Sequence, residues 1–104
     1  MHSIIKNNIT QLNQLCVAHQ VAKLYAFGSV TNENFNDKKS DIDFIAELKP
    51  LSPLESGEQL MALWDDLENL FQRKVDLLTE ATVKNTFLKE SIDSTKVIVY
   101  DAQR

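Results

Sequence analysis

The chain has 104 residues, 43% of them hydrophobic and 25% charged, with a formal net charge of −4. That composition is ordinary for a soluble globular protein, and the length fits one domain over 1–104 with little left for a second. The acidic balance argues against direct nucleic-acid binding, which shows as a basic patch, and no apolar run approaches the ~20 residues of a membrane span.

The N-terminus lacks the apolar block and cleavage site of a signal peptide, so a cytoplasmic protein with no membrane partner is expected. Residues 3–18 carry Ile4, Ile5, Ile9, Leu12, Leu15 and Cys16 at helical spacing, which predicts an amphipathic helix. Cys16, the single cysteine, has no internal disulfide partner and falls in that apolar pattern, so it reads as packing. His19 lies where the helix ends and reads as a C-terminal cap or surface residue, and His2 sits near a fraying terminus. Neither histidine has a partner at metal-ligand spacing, which argues against zinc.

Val21 to Phe27 is short, apolar and aromatic, and ends at Gly28: a buried strand stopped by glycine. Thr31 to Ser40 is polar and reads as a loop with room for one helical turn. Asp41 to Leu48 alternates as a strand, with Ile42, Phe44, Ala46 and Leu48 on one face and Asp41 and Asp43 on the other. Pro50 and Pro53 break it. Leu60, Leu63, Trp64, Leu67, Leu70 and Phe71 then form a helical stripe, with Ser52 as cap, Pro53 in the first turn and Glu55 as the capping-box acid. Trp64 on that stripe reads as core. Lys74 to Thr79 is a third strand, followed by a short helix around 81–91 and a final strand from Lys96 to Tyr100. This order predicts an α/β (α+β) fold with a mixed sheet and helices mainly on one face.

Three pieces carry chemistry: Gly28-Ser29 after the first strand, Asp41-x-Asp43 on the second, and Asp76 on the third. Residues two apart on a strand project from the same face, so Asp41 and Asp43 point together, and Asp76 can lie beside them. Three converging carboxylates repel unless cations hold them, and an all-oxygen set suits Mg2+. Two metal ions ~3.5–4 Å apart serve in-line displacement at phosphorus. Gly28 lets the backbone approach a phosphate, and Ser29 offers a hydroxyl and an amide; a helical turn after Ser29 would favour an anion, although serine is also a common helix cap. Glu47 rivals Asp76 as the third carboxylate, but strand rise sets it about 13 Å from Asp43.

The stretch Phe27-Gly28-Ser29, then Ser40-Asp41-Ile42-Asp43-Phe44, then Val75-Asp76-Leu77-Leu78, resembles the DNA polymerase beta-like nucleotidyltransferases. Length and order resemble their minimal members in prokaryotes, and the likeness extends through Ser91-Ile92-Asp93 to Tyr100. The resemblance implies the polymerase beta-like fold, with Asp41, Asp43 and Asp76 as the catalytic, metal-binding carboxylates and Mg2+ as cofactor. Gly28 and Ser29 would bind the nucleotide, with ATP as substrate. It also implies an antitoxin that transfers AMP to a tyrosine of a helical HEPN-type toxin. The chain departs from the family pattern in Val30-Thr31-Asn32-Glu33-Asn34, which holds neither the arginine nor the further glycine often found there. Lys38 and Lys39 are candidates for the missing charge, Lys39 being assigned to nucleotide binding, against plain loop solvation; lysine lacks arginine's fork.

Two other functions compete with enzymatic transfer to a partner. One is an antitoxin that masks its partner by binding alone. The other is nucleotidyl transfer to a small molecule, for which the short chain would need an acceptor surface from a partner, through apolar residues such as Leu51, Leu54 and Phe87.

Overall fold

The computed structural model of the chain describes residues 1–103. Its elements in order are α1 (Ser3–Asn7), α2 (Ile9–Ala18), β1 (Val21–Phe27), a 3-10 turn at Gly28–Thr31, β2 (Ile42–Leu48), α3 (Pro53–Phe71), β3 (Val75–Leu78), a second 3-10 turn at Glu80–Thr82, α4 (Thr86–Thr95) and β4 (Val97–Asp101). The four strands form one mixed sheet in the order β3-β2-β1-β4. β1 runs antiparallel to both β2 and β4, while β2 and β3 are parallel. A parallel pair needs a crossover, and α3 supplies it.

The strand alternation works as expected on the main face. Ile42, Phe44 and Ala46 of β2 join Leu24 and Ala26 of β1 and Val75 and Leu77 of β3 in the core. Against them pack Leu12 and Cys16 of α2 and Leu63, Leu67 and Phe71 of α3. The Cys16 thiol is fully buried, and burial pushes its pKa up to about 12. The opposite face carries a smaller cluster in which Ile92 of α4 packs with Phe27 of β1 and Ile45 of β2.

Helix boundaries depart from the apolar pattern at two places. The helix expected over 3–18 breaks at Asn8, whose backbone (φ −117°, ψ 16°) leaves the helical region while its amide side chain donates to Ile4 O at 2.8 Å. Such side-chain bonding to nearby backbone competes with helix continuation. The helix expected around 81–91 starts later: Thr79 and Thr82 close a capping box over a 3-10 turn, and Asn85 caps α4 by accepting from Leu88 N at 3.1 Å. α3 begins as expected, with Ser52 Oγ accepting from Glu55 N at 3.2 Å, its hydroxyl donating to Glu55 Oε1, and Pro53 in the first turn.

Two side chains tie this layer together. Trp64 packs against the core and donates Nε1–H to Val75 O at 2.6 Å. His19 does cap α2, but it is far from a free surface residue: its ring is largely buried and bonds Gln59 and Asp66 of α3 at 3.0 and 2.7 Å. Among the described residues no helix is long and apolar enough to cross a membrane.

Candidate active site

The site forms where the C-terminal end of β1 meets the start of β2. Phe27 pairs with Asp43 across the β1–β2 ladder, and Asp43 pairs with Asp76 across the parallel β2–β3 ladder. Phe27, Asp43 and Asp76 therefore lie in a row across three strands, and Gly28 follows directly at the end of β1. Gly28 has φ +72°, in the left-handed region open to glycine. A Cβ added there would lie 2.6 Å from Asp43 Oδ2. Glycine is thus required twice, once by the backbone turn and once by the carboxylate beside it.

Asp43 and Asp76 stand as register partners, and the electrostatics follow. Burial raises the Asp43 pKa most; the Asp76 charge, a hydrogen bond between the two carboxyl groups and the charge of Asp41 raise it further, to about 6. Such a bond exists only while one of the two groups holds a proton, so the bare pair resists carrying two charges.

Asp41 departs from the expected convergence. It precedes β2 rather than belonging to it, so strand alternation does not aim it, and its carboxylate lies 3.9 Å from Lys74 Nζ. Like charges favour this separation when a lysine is within reach. Among the described residues no group of three or more His, Cys, Asp or Glu side chains is arranged to hold a metal ion. Asp43 and Asp76 form the close pair, and Asp41 is near enough to act on Asp43 through its charge. Glu47 is exposed at the far end of β2, opposite Lys23 and away from the pair.

Ser29 lies inside the 3-10 turn and does not cap it, since the turn already begins at Gly28 and Phe27 occupies the cap position. The Gly28 amide points to Thr95 Oγ1 of α4 at 3.4 Å, and the Gly28 carbonyl accepts from Thr31 Oγ1 at 2.7 Å. Lys38 and Lys39 are exposed on a turn organised by Asn36, whose Oδ1 accepts both their amides at 2.9 and 3.2 Å.

Sequence patterning missed three neighbours of the site: Thr95, Lys74 and Arg73. Arg73 donates to the carbonyls of Ser40 and Asp37 and lies 5.1 Å over the Phe35 ring. None carried an alternation or spacing cue; the one available hint was that Arg73 and Lys74 immediately precede the strand bearing Asp76.

No curated protein matches the chain. The fold matches a solved toxin–antitoxin structure with AMP-PNP at TM-score 0.67 and 19% identity, over 92% of this chain and 75% of that one. It also matches tri-AMPylated HEPN toxin in complex with MNT antitoxin from Shewanella oneidensis, at TM-score 0.57 and 19% identity, over 94% and 73%. An MntA–HepT toxin–antitoxin structure aligns at TM-score 0.57 and 19% identity over 94% and 74%. The family model for polymerase beta nucleotidyltransferases matches residues 10–104, a span holding the glycine turn and all three aspartates. With that span and with Gly28, Asp43 and Asp76 gathered at one end of its mixed sheet, the chain belongs to the polymerase beta nucleotidyltransferase family.

Proposed function

We propose that the chain transfers a nucleoside monophosphate, AMP from ATP, to a hydroxyl group, and that the acceptor is a tyrosine of a helical HEPN-type toxin which it thereby neutralises. The observation that carries this reading is the pairing of Asp43 with Asp76 beside Gly28. Family membership supports the reaction class. The toxin–antitoxin structures sharing the fold, one with AMP-PNP and one with an AMPylated toxin, support the nucleotide and the partner.

The residues fit a hard divalent cation. All donors are carboxylate oxygens, and Asp43, whose pKa is raised first by burial and then by the charges of Asp76 and Asp41, is a group whose charged form a cation would favour. Asp43 and Asp76 would hold Mg2+, joined by Asp41. Bound there, Mg2+ would supply charge neutralisation at the phosphoryl oxygens and acidify the attacking hydroxyl. The protein's own part is binding and orientation. Gly28, lacking a side chain, lets the Asp43 carboxylate lie against the backbone of the turn, where a Cβ would come within 2.6 Å of Oδ2. The 3-10 turn presents Ser29 next to it. Asp76, across the ladder from Asp43, would receive the hydroxyl's proton as the hydroxyl oxygen bonds to the α-phosphorus and pyrophosphate leaves.

Incubating the chain with α-labelled ATP, Mg2+ and a HEPN-type toxin tests the proposal. Label on a tyrosine of the partner, lost with Asp43→Asn, is the expected result. Neutralisation of the partner by Asp43→Asn without label would replace it with masking by contact.

A further inference from the structure

The loop between the glycine turn and the aspartates, residues 32–41, contains no helix or strand. Its last residue, Asp41, leans on Lys74 and acts on Asp43 through its charge, so sharing a cation with the Asp43–Asp76 pair would require it to turn toward them. Phe35 is the loop's buried residue, at 9% exposure, and it lies between two groups from distant parts of the chain. On one side the His2 ring sits 4.6 Å away, tilted against it; on the other the Arg73 guanidinium stacks at 5.1 Å. His2 also ties the middle of the loop to the 3-10 turn before it, its amide donating to Val30 O at 2.8 Å and its Nε2 contacting Asp37 Oδ1 at 2.5 Å.

Arg73 makes the contact nearest the site. One terminal nitrogen donates to Ser40 O at 3.2 Å and the other to Asp37 O. Ser40 immediately precedes Asp41, and its own amide and hydroxyl close a turn with Asn36 at 3.0 and 2.9 Å. The guanidinium therefore fixes the peptide that delivers Asp41. It also begins the segment that delivers Asp76, since Lys74 O accepts from Ile42 N at 3.2 Å and β3 follows directly. Arg73 Nε is buried without a hydrogen-bond partner among the described residues. An apolar side chain kept for packing alone would avoid that unpaired N–H.

From this we infer that Arg73 is a positioning residue for the carboxylate site: its fork holds Ser40 and Asp37 so that Asp41 can join Asp43 and Asp76 around a divalent cation. The inference rests on the metal-assisted transfer proposed above. Lysine keeps the charge and much of the stem but cannot donate to two carbonyls in a plane while stacking on Phe35. Groups that orient ligands in this way typically change metal affinity tenfold to a hundredfold when removed.

The test is Mn2+ binding in the presence of ATP, followed by electron paramagnetic resonance at a temperature where all variants are folded. It compares wild type, Arg73→Lys and Arg73→Met, with amide hydrogen exchange of the metal-free proteins alongside. The expected result is Mn2+ affinity about tenfold weaker in both variants, with faster exchange at 38–42 and unchanged exchange in β1. If Arg73→Lys fails to fold, Arg73→Met, which retains the stem packing, carries the comparison. Unchanged Mn2+ affinity in a folded variant would overturn the role of Arg73 while leaving the transfer reading intact. Absence of Mn2+ binding by wild type would sink the metal reading itself, and this role with it, whatever the exchange pattern.

Discussion

Asp43 and Asp76 are direct register partners on parallel strands, so the backbone ladder itself forces two carboxyl groups together. A side-chain rotation cannot separate them far, because parallel partners share a face and a spacing of ~4.8 Å between strands. The fold therefore stores repulsion at its site whenever both groups are ionised. Other features of the chain can be weighed against that fact.

In metal-free buffer, Asp43→Asn should stabilise the fold. The folded pKa of Asp43 is raised to about 6, so its contribution is fully present below the unfolded value and lost as pH rises through 6. The melting temperatures of wild type and variant should nearly coincide at pH 4 and diverge by pH 7. The variant should be the more stable by about 1 kcal/mol there, once partial solvent exposure of the site is discounted. Adding Mg2+ should close the gap by raising wild type alone. A wild type that gains stability between pH 4 and 7 relative to the variant would contradict this account.

Gly28→Ala meets two separate obstacles, the positive φ and the contact with Asp43 Oδ2. The backbone term costs about 1–2 kcal/mol. Thermal denaturation of a double-mutant cycle with Asp43→Ala separates them: Gly28→Ala should cost less when Asp43 is already truncated. Equal costs in both backgrounds would mean the carboxylate moves aside freely.

Cys16 should be inert in the native protein. Its thiol is fully buried and its pKa lies at about 12, so the thiolate that reacts with iodoacetamide is scarce at neutral pH. Mass spectrometry should find no adduct within an hour at pH 8 and full modification in denaturant. Rapid native labelling would indicate local opening of α2.

Trp64→Phe keeps the ring against the core but removes the donor to Val75 O. A carbonyl left without its partner at the head of β3 should cost about 1–3 kcal/mol, read as a fall in the urea midpoint at constant slope. Because Val75 adjoins Asp76, the variant should also bind Mg2+ and ATP less tightly at a temperature where it remains folded.

What the sequence disclosed follows from the range of each interaction. An apolar, aromatic run and a terminating glycine outline β1 to the residue, and alternation along the next strand puts Phe44 inside and Asp43 on the other face. Capping chemistry locates the start of α3 through Ser52 and Glu55. The same chemistry, with Asn8 and Asn85, also breaks the first helix and delays the last, and apolar spacing alone is blind to it. Asp41 reads as a strand residue because it alternates, yet it lies outside the ladder and leans on Lys74. The groups holding the site loop were not legible. Arg73 meets Ser40 and Asp37, and His2 meets Phe35 and Asp37, only after the sheet has assembled.

The connection that makes β2 and β3 parallel runs through the whole of α3, so Asp43 and Asp76 are far apart along the chain and meet only when that segment closes. β1 and β2 can pair through their own intervening loop, but the β2–β3 ladder must wait for closure of a much longer segment. A nascent or truncated chain that ends before Val75 holds Gly28, Asp41 and Asp43 and still lacks the acid set. Cation binding by this chain is thus a reporter of the β2–β3 pairing, and its appearance in a stopped-flow refolding trace would time that step separately from the still longer-range closure of β4 on β1.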